Sequence, residues 1–350
     1  MKVQISRFDP DKDAAPHLET YDVHVENGAR VLNVLDAVRD GIDPTLGYRH
    51  CCRAGQCGSC AVRVNGEPVL ACMEEAHDGD LIEPLSLPRI RDLITDIAPV
   101  MAQMAWLNPG VEGISCSCGV THDTIESIKP LRECIECYSC VSSCPAFAAS
   151  EYAGPTIMRQ EQRLNLDPRD GGDRVEEAIA KGLFACTTCH KCVEVCPKGI
   201  ETPRKAVEKL RAEAAKRGLS LPAHKALARL VEETGRSVER KETPFLERVP
   251  DVIEPEGEVR ATVGFFVGCM FNGRVIQPAL DAMEVLRKNG VRVVIPKDQV
   301  CCGSPLIRTG LSGFVPELMQ RNIAAFVNAG VDVVLTMCAG CGSTLKNDYN

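Results

Sequence analysis

Cysteine is the residue type that could carry chemistry in this chain. Twenty of its 350 residues are cysteine, and a thiolate is both a metal ligand and a nucleophile. The cysteines fall into four groups, within residues 51–72, 116–144, 186–196 and 269–341. The first residues lack the apolar segment of a secretory signal peptide, so a secreted disulfide scaffold is a poor explanation. We therefore expect a cytoplasmic protein whose cysteines bind metal.

The first group has the spacing C-x4-C-x2-C-x11-C, formed by Cys52, Cys57, Cys60 and Cys72. Its first three positions match the plant-type [2Fe–2S] pattern, in which the fourth cysteine lies further along the chain. Gly55 and Gly58 allow the loop to curl closely enough for its N–H groups to reach the sulfurs. A four-cysteine zinc site usually has a second C-x2-C pair, so the spacing favours [2Fe–2S] over zinc. The neighbouring Cys51 is interpreted as a packing or spare thiol.

The next two groups each contain the run C-x2-C-x2-C-x3-C-P, the signature of a two-cluster ferredoxin, in which the fourth cysteine of each run binds the other cluster. The predicted [4Fe–4S] sets are Cys134, Cys137, Cys140 and Cys196, and Cys186, Cys189, Cys192 and Cys144. Helical patterns at residues 172–184 and 203–217 predict that these clusters lie between helices. A separate C-x-C pair, Cys116 and Cys118, is interpreted as packing or solvent-exposed thiols, with a further redox role as the alternative.

The elements that must position these groups follow from hydrophobic periodicity. Alternation predicts strands at Val3–Phe8 and Tyr21–Val25, and helical spacing predicts a helix at Val31–Arg39 before the first cysteine group. Near the other end, a βαβαβ order is formed by Thr262–Val267, Pro278–Lys288, Val291–Ile295, Val315–Val327 and Asp332–Thr336. This order predicts a parallel α/β sheet whose strand ends meet at one edge. That edge would bring together Cys269, Cys301, Cys302, Cys338 and Cys341.

Residues 1 to about 215 resemble the iron–sulfur subunit of the succinate dehydrogenase/fumarate reductase family. The resemblance rests on the order of the three cysteine sets and on the segments Arg7–Pro10, Leu32–Asp36, Cys52–Cys60 and Leu87–Leu93. It implies an electron relay. The [2Fe–2S] domain would face a flavoprotein partner that carries FAD and the dicarboxylate site.

Two departures from this family's pattern bear on the electron acceptor. Most members lack the second cysteine of the last run and hold a [3Fe–4S] cluster there, whereas this chain has Cys189, which favours [4Fe–4S]. Membrane-bound members carry a tryptophan after the first Cys-Pro, at the quinone pocket, whereas residues 146–149 here contain none. Both departures weaken the case for a quinone.

The last five cysteines contain one Cys-Cys-Gly sequence, at residues 301–303. They resemble the CCG motif of the heterodisulfide reductase catalytic subunit and of glycolate oxidase-type iron–sulfur subunits. The resemblance implies a noncubane [4Fe–4S] cluster and a catalytic thiol/disulfide site at these cysteines; a redox-silent structural metal site is the alternative. Those relatives carry two CCG units and this chain carries one, so we expect an incomplete CCG domain.

The fusion of both parts resembles the iron–sulfur subunits of the thiol-driven fumarate reductases of methanogenic archaea. It implies that coenzyme M and coenzyme B thiols are oxidised to their heterodisulfide at the CCG cluster. Electrons would then pass through the iron–sulfur clusters to FAD on a partner subunit that reduces fumarate to succinate. The alternatives are a component of a quinone-linked succinate dehydrogenase or glycolate oxidase-type enzyme, and an electron carrier with no substrate site.

The predicted architecture is α+β. It comprises a β-grasp [2Fe–2S] domain at 1–100, a helical bis-[4Fe–4S] domain at 101–220, a linker at 221–258 and a partial α/β CCG domain at 259–350. The formal net charge of −8, without a basic block, argues against a nucleic-acid partner. The longest apolar stretch, residues 97–107, is too short to span a bilayer, so we expect no membrane association.

Overall fold

The computed structural model describes residues 1–107 and 120–349. These residues form two compact units, Met1–Leu210 and Arg211–Asn350. Both units mix strands and helices, which confirms the predicted α+β class. The C-x-C pair, Cys116 and Cys118, lies outside the described residues.

A five-stranded sheet opens the first unit, in the strand order β2-β1-β5-β3-β4. Its strands are β1 Lys2–Arg7, β2 His17–Asp22, β3 Ala61–Val64, β4 Glu67–Leu70 and β5 Leu81–Glu83. Helix α1 (Val31–Gly41) buries Val31, Leu35 and Val38, and its periodicity matches the prediction. β1 pairs antiparallel with β2 and parallel with β5, which is the predicted β-grasp arrangement. The second strand begins and ends earlier than predicted because pairing with β1 fixes its register.

The rest of the first unit is mainly helical, after a short hairpin of β6 (Arg89–Arg91) and β7 (Ile94–Thr95). Its helices are α2 Ala98–Trp106, α3 His122–Arg132, α4 Ser139–Ser142, α5 Pro145–Ala149, α6 Pro155–Asn165, α7 Arg174–Ala180, α8 Lys191–Glu194 and α9 Glu208–Lys216. A π-helical turn, Pro203–Val207, leads into α9. Helix α6 is buried over most of its length, so it forms the centre of this part.

The second unit contains a four-stranded sheet in the order β11-β9-β10-β8. Its strands are β8 Val252–Ile253, β9 Ala261–Phe266, β10 Val291–Val294 and β11 Val334–Thr336. Its helices are α10 Pro222–Thr234, α11 Phe245–Arg248, α12 Gly268–Gly273, α13 Gln277–Lys288, α14 Ser304–Thr309, α15 Val315–Asn328 and α16 Ala339–Asn347. The central strand β9 runs parallel to β10 and β11, which confirms the predicted parallel sheet.

Residues 221–258, expected to be a linker, are folded into the second unit. Val231 of α10 packs in the same core cluster as Cys301, and Phe245 of α11 is fully buried against Phe265 of β9. Strand β8 pairs antiparallel with β10. The prolines that interrupt the sequence pattern stand at or before helix starts, as Pro222 does in α10, so they mark helix boundaries rather than a flexible segment.

Gly310 ends α14 in a left-handed conformation, with φ of 82°, directly against α9. A Cβ atom there would lie 2.5 Å from the Ala212 nitrogen, well inside van der Waals contact. We expect Gly310→Ala to destabilise the second unit by more than the ~1–2 kcal/mol that left-handed backbone costs a non-glycine residue. The matched control is Gly313→Ala, whose Cβ would meet nothing within 4 Å. Thermal unfolding followed by circular dichroism compares the variants, and equal midpoints would contradict the packing described here.

Candidate metal centres

All 18 cysteines within residues 1–107 and 120–349 are free thiols. No three His, Cys, Asp or Glu side chains in this part of the chain are placed to hold a single metal ion. No helix in the same ranges is long and apolar enough to cross a membrane. The predicted ligands instead lie in four separate sets, three in the first unit and one in the second.

The first set lies in the loop that connects α1 to β3. Backbone N–H groups point at its sulfurs: those of Ala54 and Gln56 donate to Cys52 Sγ at 3.4 Å and 3.3 Å, and that of Gly55 donates to Cys72 Sγ at 3.3 Å. The thiols of Cys60 and Cys72 contact each other. Inward-facing sulfurs with N–H donors around them fit the predicted [2Fe–2S] cluster.

Ionisation in this loop is also suited to metal binding. The N–H group of Cys52 donates to Cys57 Sγ at 3.5 Å. This contact, with those from Ser59, lowers the pKa of Cys57 to about 6, so the thiolate that binds iron is favoured at neutral pH. Burial has the opposite effect on Cys60 and raises its pKa to about 12. The neighbouring Cys51 is exposed.

Asp36 of α1 holds both ends of the segment around Cys51 and Cys52. The Tyr48 hydroxyl donates to Asp36 Oδ1 at 2.5 Å, and the Arg53 guanidinium donates to both carboxylate oxygens. Burial opposes ionisation of Asp36, but these two donors hold its pKa below the ordinary value. A charged Asp36 therefore fixes the loop. Sequence reasoning assigned no role to this residue, although the segment Leu32–Asp36 carried part of the family resemblance.

Two other segments that carried the resemblance meet at Asp92, which is 1% exposed. Its Oδ1 accepts hydrogen bonds from Arg7 Nε at 3.0 Å and from the Phe8 nitrogen at 2.9 Å. Its Oδ2 accepts from the Gly47 nitrogen at 2.7 Å. Asp92 thus joins the end of β1 to the segment that leads into the cysteine loop.

The second set surrounds a cavity between α4, α6 and the end of the last cysteine run. Four of the residues that line it are Cys134, Cys137, Cys140 and Cys196. The Glu136 nitrogen donates to Cys134 Sγ and the Ile200 nitrogen to Cys196 Sγ, both at 3.4 Å. Thr156 of α6 lies 3.4 Å from Cys140 Sγ, and burial raises the pKa of Cys140 to about 12. Both cysteine runs therefore contribute to one cavity.

The third set surrounds a separate cavity, lined in part by Cys144, Cys186, Cys189 and Cys192. The two runs have the same local geometry, because positive φ angles recur at Glu136 and Tyr138 in the first run and at Thr188 and His190 in the second. The fourth cysteine of each run lies with the first three of the other. This is the crossed grouping expected of two [4Fe–4S] clusters, and the chemistry of each donor set fits such a cluster.

The first and second sets approach each other closely at Gly58, which has a φ of +71°. A Cβ atom on Gly58 would lie 2.7 Å from the Ile135 oxygen and 2.8 Å from Cys137 Cβ. One cavity is lined by both Cys57 and Cys137. The two cysteine loops are therefore in backbone contact at a position where only glycine fits.

The fourth set lies in the second unit, beyond the carboxyl ends of the parallel strands. Cys269 follows β9 in α12, and Cys338 follows β11 as the N-cap of α16. The thiol of Cys301 contacts those of Cys269 and Cys302, and the thiol of Cys302 also contacts that of Cys341. The Cys341 nitrogen lies 3.5 Å from Cys338 Sγ. The five cysteines form one continuous chain of contacts, as the sequence predicted.

Sequence reasoning also missed Glu161, a fully buried acid on α6. Arg174, the cation that faces it, is already bound to Asp170 and Glu177, at 2.8 Å and 2.7 Å. Burial, followed by the charge of Glu177, raises the pKa of Glu161 to about 8. A regular hydrophobic helix would have placed an apolar residue there, so the break in the pattern was the available signal.

A raised pKa makes stability depend on pH. The stabilising effect of protonated Glu161 is fully present below its ordinary pKa of 4.5 and is lost as the pH rises through about 8. We expect the thermal midpoint of the wild-type chain to fall across this window and that of Glu161→Gln to fall less, because glutamine stays neutral. All other titratable groups are shared by the two proteins. Parallel curves of midpoint against pH would contradict this account.

Three protein-family models match the chain, and together they include the predicted cysteine sets. Residues 2–102 match a 2Fe-2S iron–sulfur cluster binding domain and residues 130–200 a 4Fe-4S dicluster domain. Residues 263–346 match a cysteine-rich domain of the CCG type. The predicted kinds of domain are thereby confirmed.

Similar proteins share the same features. The second subunit of the fumarate reductase (CoM/CoB) of Methanothermobacter marburgensis is 43% identical over 355 residues, covering 100% of this chain and 70% of that protein. The fumarate reductase iron–sulfur subunit of Haemophilus influenzae is 32% identical over 240 residues, covering 62% of this chain and 93% of that protein. A chain of the Mycobacterium smegmatis Sdh1 complex in the apo form has a TM-score of 0.56 at 29% identity, covering 62% of this chain and 95% of that chain.

Proposed function

The chain belongs to the iron–sulfur subunit family of the fumarate reductase (CoM/CoB), and we propose that it receives its electrons from thiols. It is an iron–sulfur subunit of the fumarate reductase and succinate dehydrogenase type, and therefore part of an oxidoreductase with a flavoprotein partner. The proposed donors are coenzyme M and coenzyme B. Their two thiols lose two electrons and two protons to form the heterodisulfide, and fumarate gains both at FAD on the partner subunit to give succinate.

The observation that carries this proposal is the coexistence of two cysteine systems in one chain. The first unit contains three sets that fit electron-carrying clusters. The second unit contains five cysteines in mutual contact, three of them buried: Cys301, Cys302 and Cys341. A subunit that only passed electrons from a quinol to a flavin would have no use for the second system.

The proposed ligands follow the four sets. The [2Fe–2S] cluster would be held by Cys52, Cys57, Cys60 and Cys72. The two [4Fe–4S] clusters would be held by Cys134, Cys137, Cys140 and Cys196, and by Cys186, Cys189, Cys192 and Cys144. A noncubane [4Fe–4S] cluster would be held by Cys269, Cys301, Cys302, Cys338 and Cys341. When bound, such clusters supply one-electron carriers whose potentials depend on hydrogen bonds and exposure.

The chain's own residues prepare these sites. The N–H groups of Gly55, Glu136, Thr188 and Ile200 donate to cysteine sulfurs at 3.3–3.4 Å, which favours the thiolate and orients it. Cys189 lines the same cavity as the other members of its set. Its position supports a full [4Fe–4S] cluster rather than a [3Fe–4S] cluster at that site.

An anaerobic assay of the purified complex with its flavoprotein tests the proposal. We expect fumarate reduction with coenzyme M and coenzyme B thiols supplied together, with heterodisulfide formed in a one-to-one ratio to succinate. Omitting either thiol is the control, and it should stop the reaction. Fumarate reduction that ignores the thiols but responds to a quinol would overturn the proposal and favour a quinone-linked enzyme.

A further inference from the structure

The segment Val300–Gly303 lies in neither a helix nor a strand, yet Cys301 and Cys302 are only 1% and 3% exposed. The two thiols contact different partners, Cys269 in one case and Cys341 in the other. Buried peptide groups need hydrogen-bond partners. Because no regular secondary structure supplies them, other groups must hold this backbone.

Asn322 supplies several of those hydrogen bonds from the middle of α15, where it is 2% exposed. Its Oδ1 accepts from the Val300 nitrogen at 2.8 Å, and its Nδ2 donates to the Cys301 oxygen at 3.2 Å. The same Nδ2 donates to the Tyr349 hydroxyl at 2.9 Å. The hydroxyl of Tyr349 in turn donates to the Cys302 oxygen at 3.1 Å. Two side chains thus hold the peptide groups of three successive residues.

The pattern of donors and acceptors is specific to these residue types. Asparagine offers one acceptor and two N–H donors on a short side chain, and all of them are used here. Aspartate keeps the acceptor but loses both donors, and leucine of similar size loses every hydrogen bond. Burial raises the pKa of Tyr349, so its hydroxyl stays protonated as the donor that Cys302 needs.

We propose that Asn322 and Tyr349 are positioning residues that set the orientation of the adjacent thiols of Cys301 and Cys302. The inference rests on the proposed function only for the cluster that these thiols would bind. The hydrogen bonds themselves are a property of the folded second unit. The chemistry of the site would therefore depend on two residues that are neither cysteines nor part of the CCG sequence.

The test uses the full chain, purified anaerobically, with iron content and EPR spectra as readouts. For Asn322→Leu we expect loss of the signal and iron assigned to the last cysteine set, with the signals of the other clusters retained. For Tyr349→Phe, which removes only a hydroxyl, we expect iron to be retained and the g values of that centre to shift. The matched control is Asn328→Leu, an exposed position at the end of the same helix, which should resemble the wild type.

A second readout needs no iron. In iron-free protein we expect iodoacetamide to alkylate Cys301 and Cys302 faster in both variants than in the wild type, as measured by peptide mass spectrometry. Unchanged spectra together with unchanged alkylation rates would overturn the inference. If Asn322→Leu fails to fold, Tyr349→Phe decides. If the wild-type complex oxidises no thiols while the variants still differ from it, the proposed function fails and the positioning role stands.

Discussion

Replacing Cys301 and Cys302 by serine is expected to abolish thiol-driven fumarate reduction, to background, in the complex with the flavoprotein partner. Both side chains are buried at the centre of the contacts within the last cysteine set. Serine is a poor ligand for iron clusters, so the proposed thiol-oxidising site would be lost. Fumarate reduction driven by a reduced dye should continue near the wild-type rate, because the cysteine sets of the first unit are untouched.

The control for this variant is Cys51→Ser, which removes an exposed thiol that belongs to no set. It should retain both activities. Unchanged thiol-driven activity in the double variant would contradict the proposed site. Loss of both activities, with iron lost from the first unit as well, would show that the variant damages the whole chain, and single substitutions of Cys338 and Cys341 would then replace it.

Replacing Gly58 by alanine is expected to have the second large effect, on electron transfer between the [2Fe–2S] loop and the first [4Fe–4S] loop. The added Cβ would overlap both Ile135 and Cys137, so the loops must separate. The residue would also be held at positive φ, which costs a non-glycine residue ~1–2 kcal/mol. We expect slower reduction of the flavin by dye-reduced protein in a stopped-flow experiment, with a weaker magnetic interaction between the two centres by EPR.

Gly66→Ala separates the two causes. Gly66 lies in the same domain with φ of +88°, but a Cβ there would meet nothing within 4 Å. Its stability should fall by the backbone term alone, and its electron transfer should match the wild type. If Gly58→Ala transfers electrons as fast as Gly66→Ala, the contact between the two loops does not limit the transfer.

Local spacing predicted much of this molecule because cysteine ligands of one cluster lie in short loops. The sets around Cys52–Cys60 and in the two C-x2-C-x2-C-x3-C-P runs depend on turns within a dozen residues. The parallel sheet was also predictable, because strands and helices alternate strictly after residue 260. In these cases the sequence pattern and the fold have the same period.

Features that depend on distant partners could not be predicted in this way. The register of β2 depends on β1, and the folding of residues 221–258 depends on the sheet against which Phe245 packs. Asp36 acts on Tyr48 and Arg53, and Asn322 acts on residues more than 20 positions earlier in the chain. Their residue types are unremarkable on a helix, so only the tertiary structure identifies them.

The central claim is that this chain holds four iron–sulfur centres in four separate cysteine sets. Iron and sulfide analysis of the anaerobically purified chain, with EPR of the same sample, tests it most directly. We expect about 14 iron atoms per chain, with an equal amount of sulfide, and distinct signals for one [2Fe–2S] centre and for cubane and noncubane [4Fe–4S] centres. About 10 iron atoms with stoichiometric zinc, or the absence of a [2Fe–2S] signal, would contradict the claim.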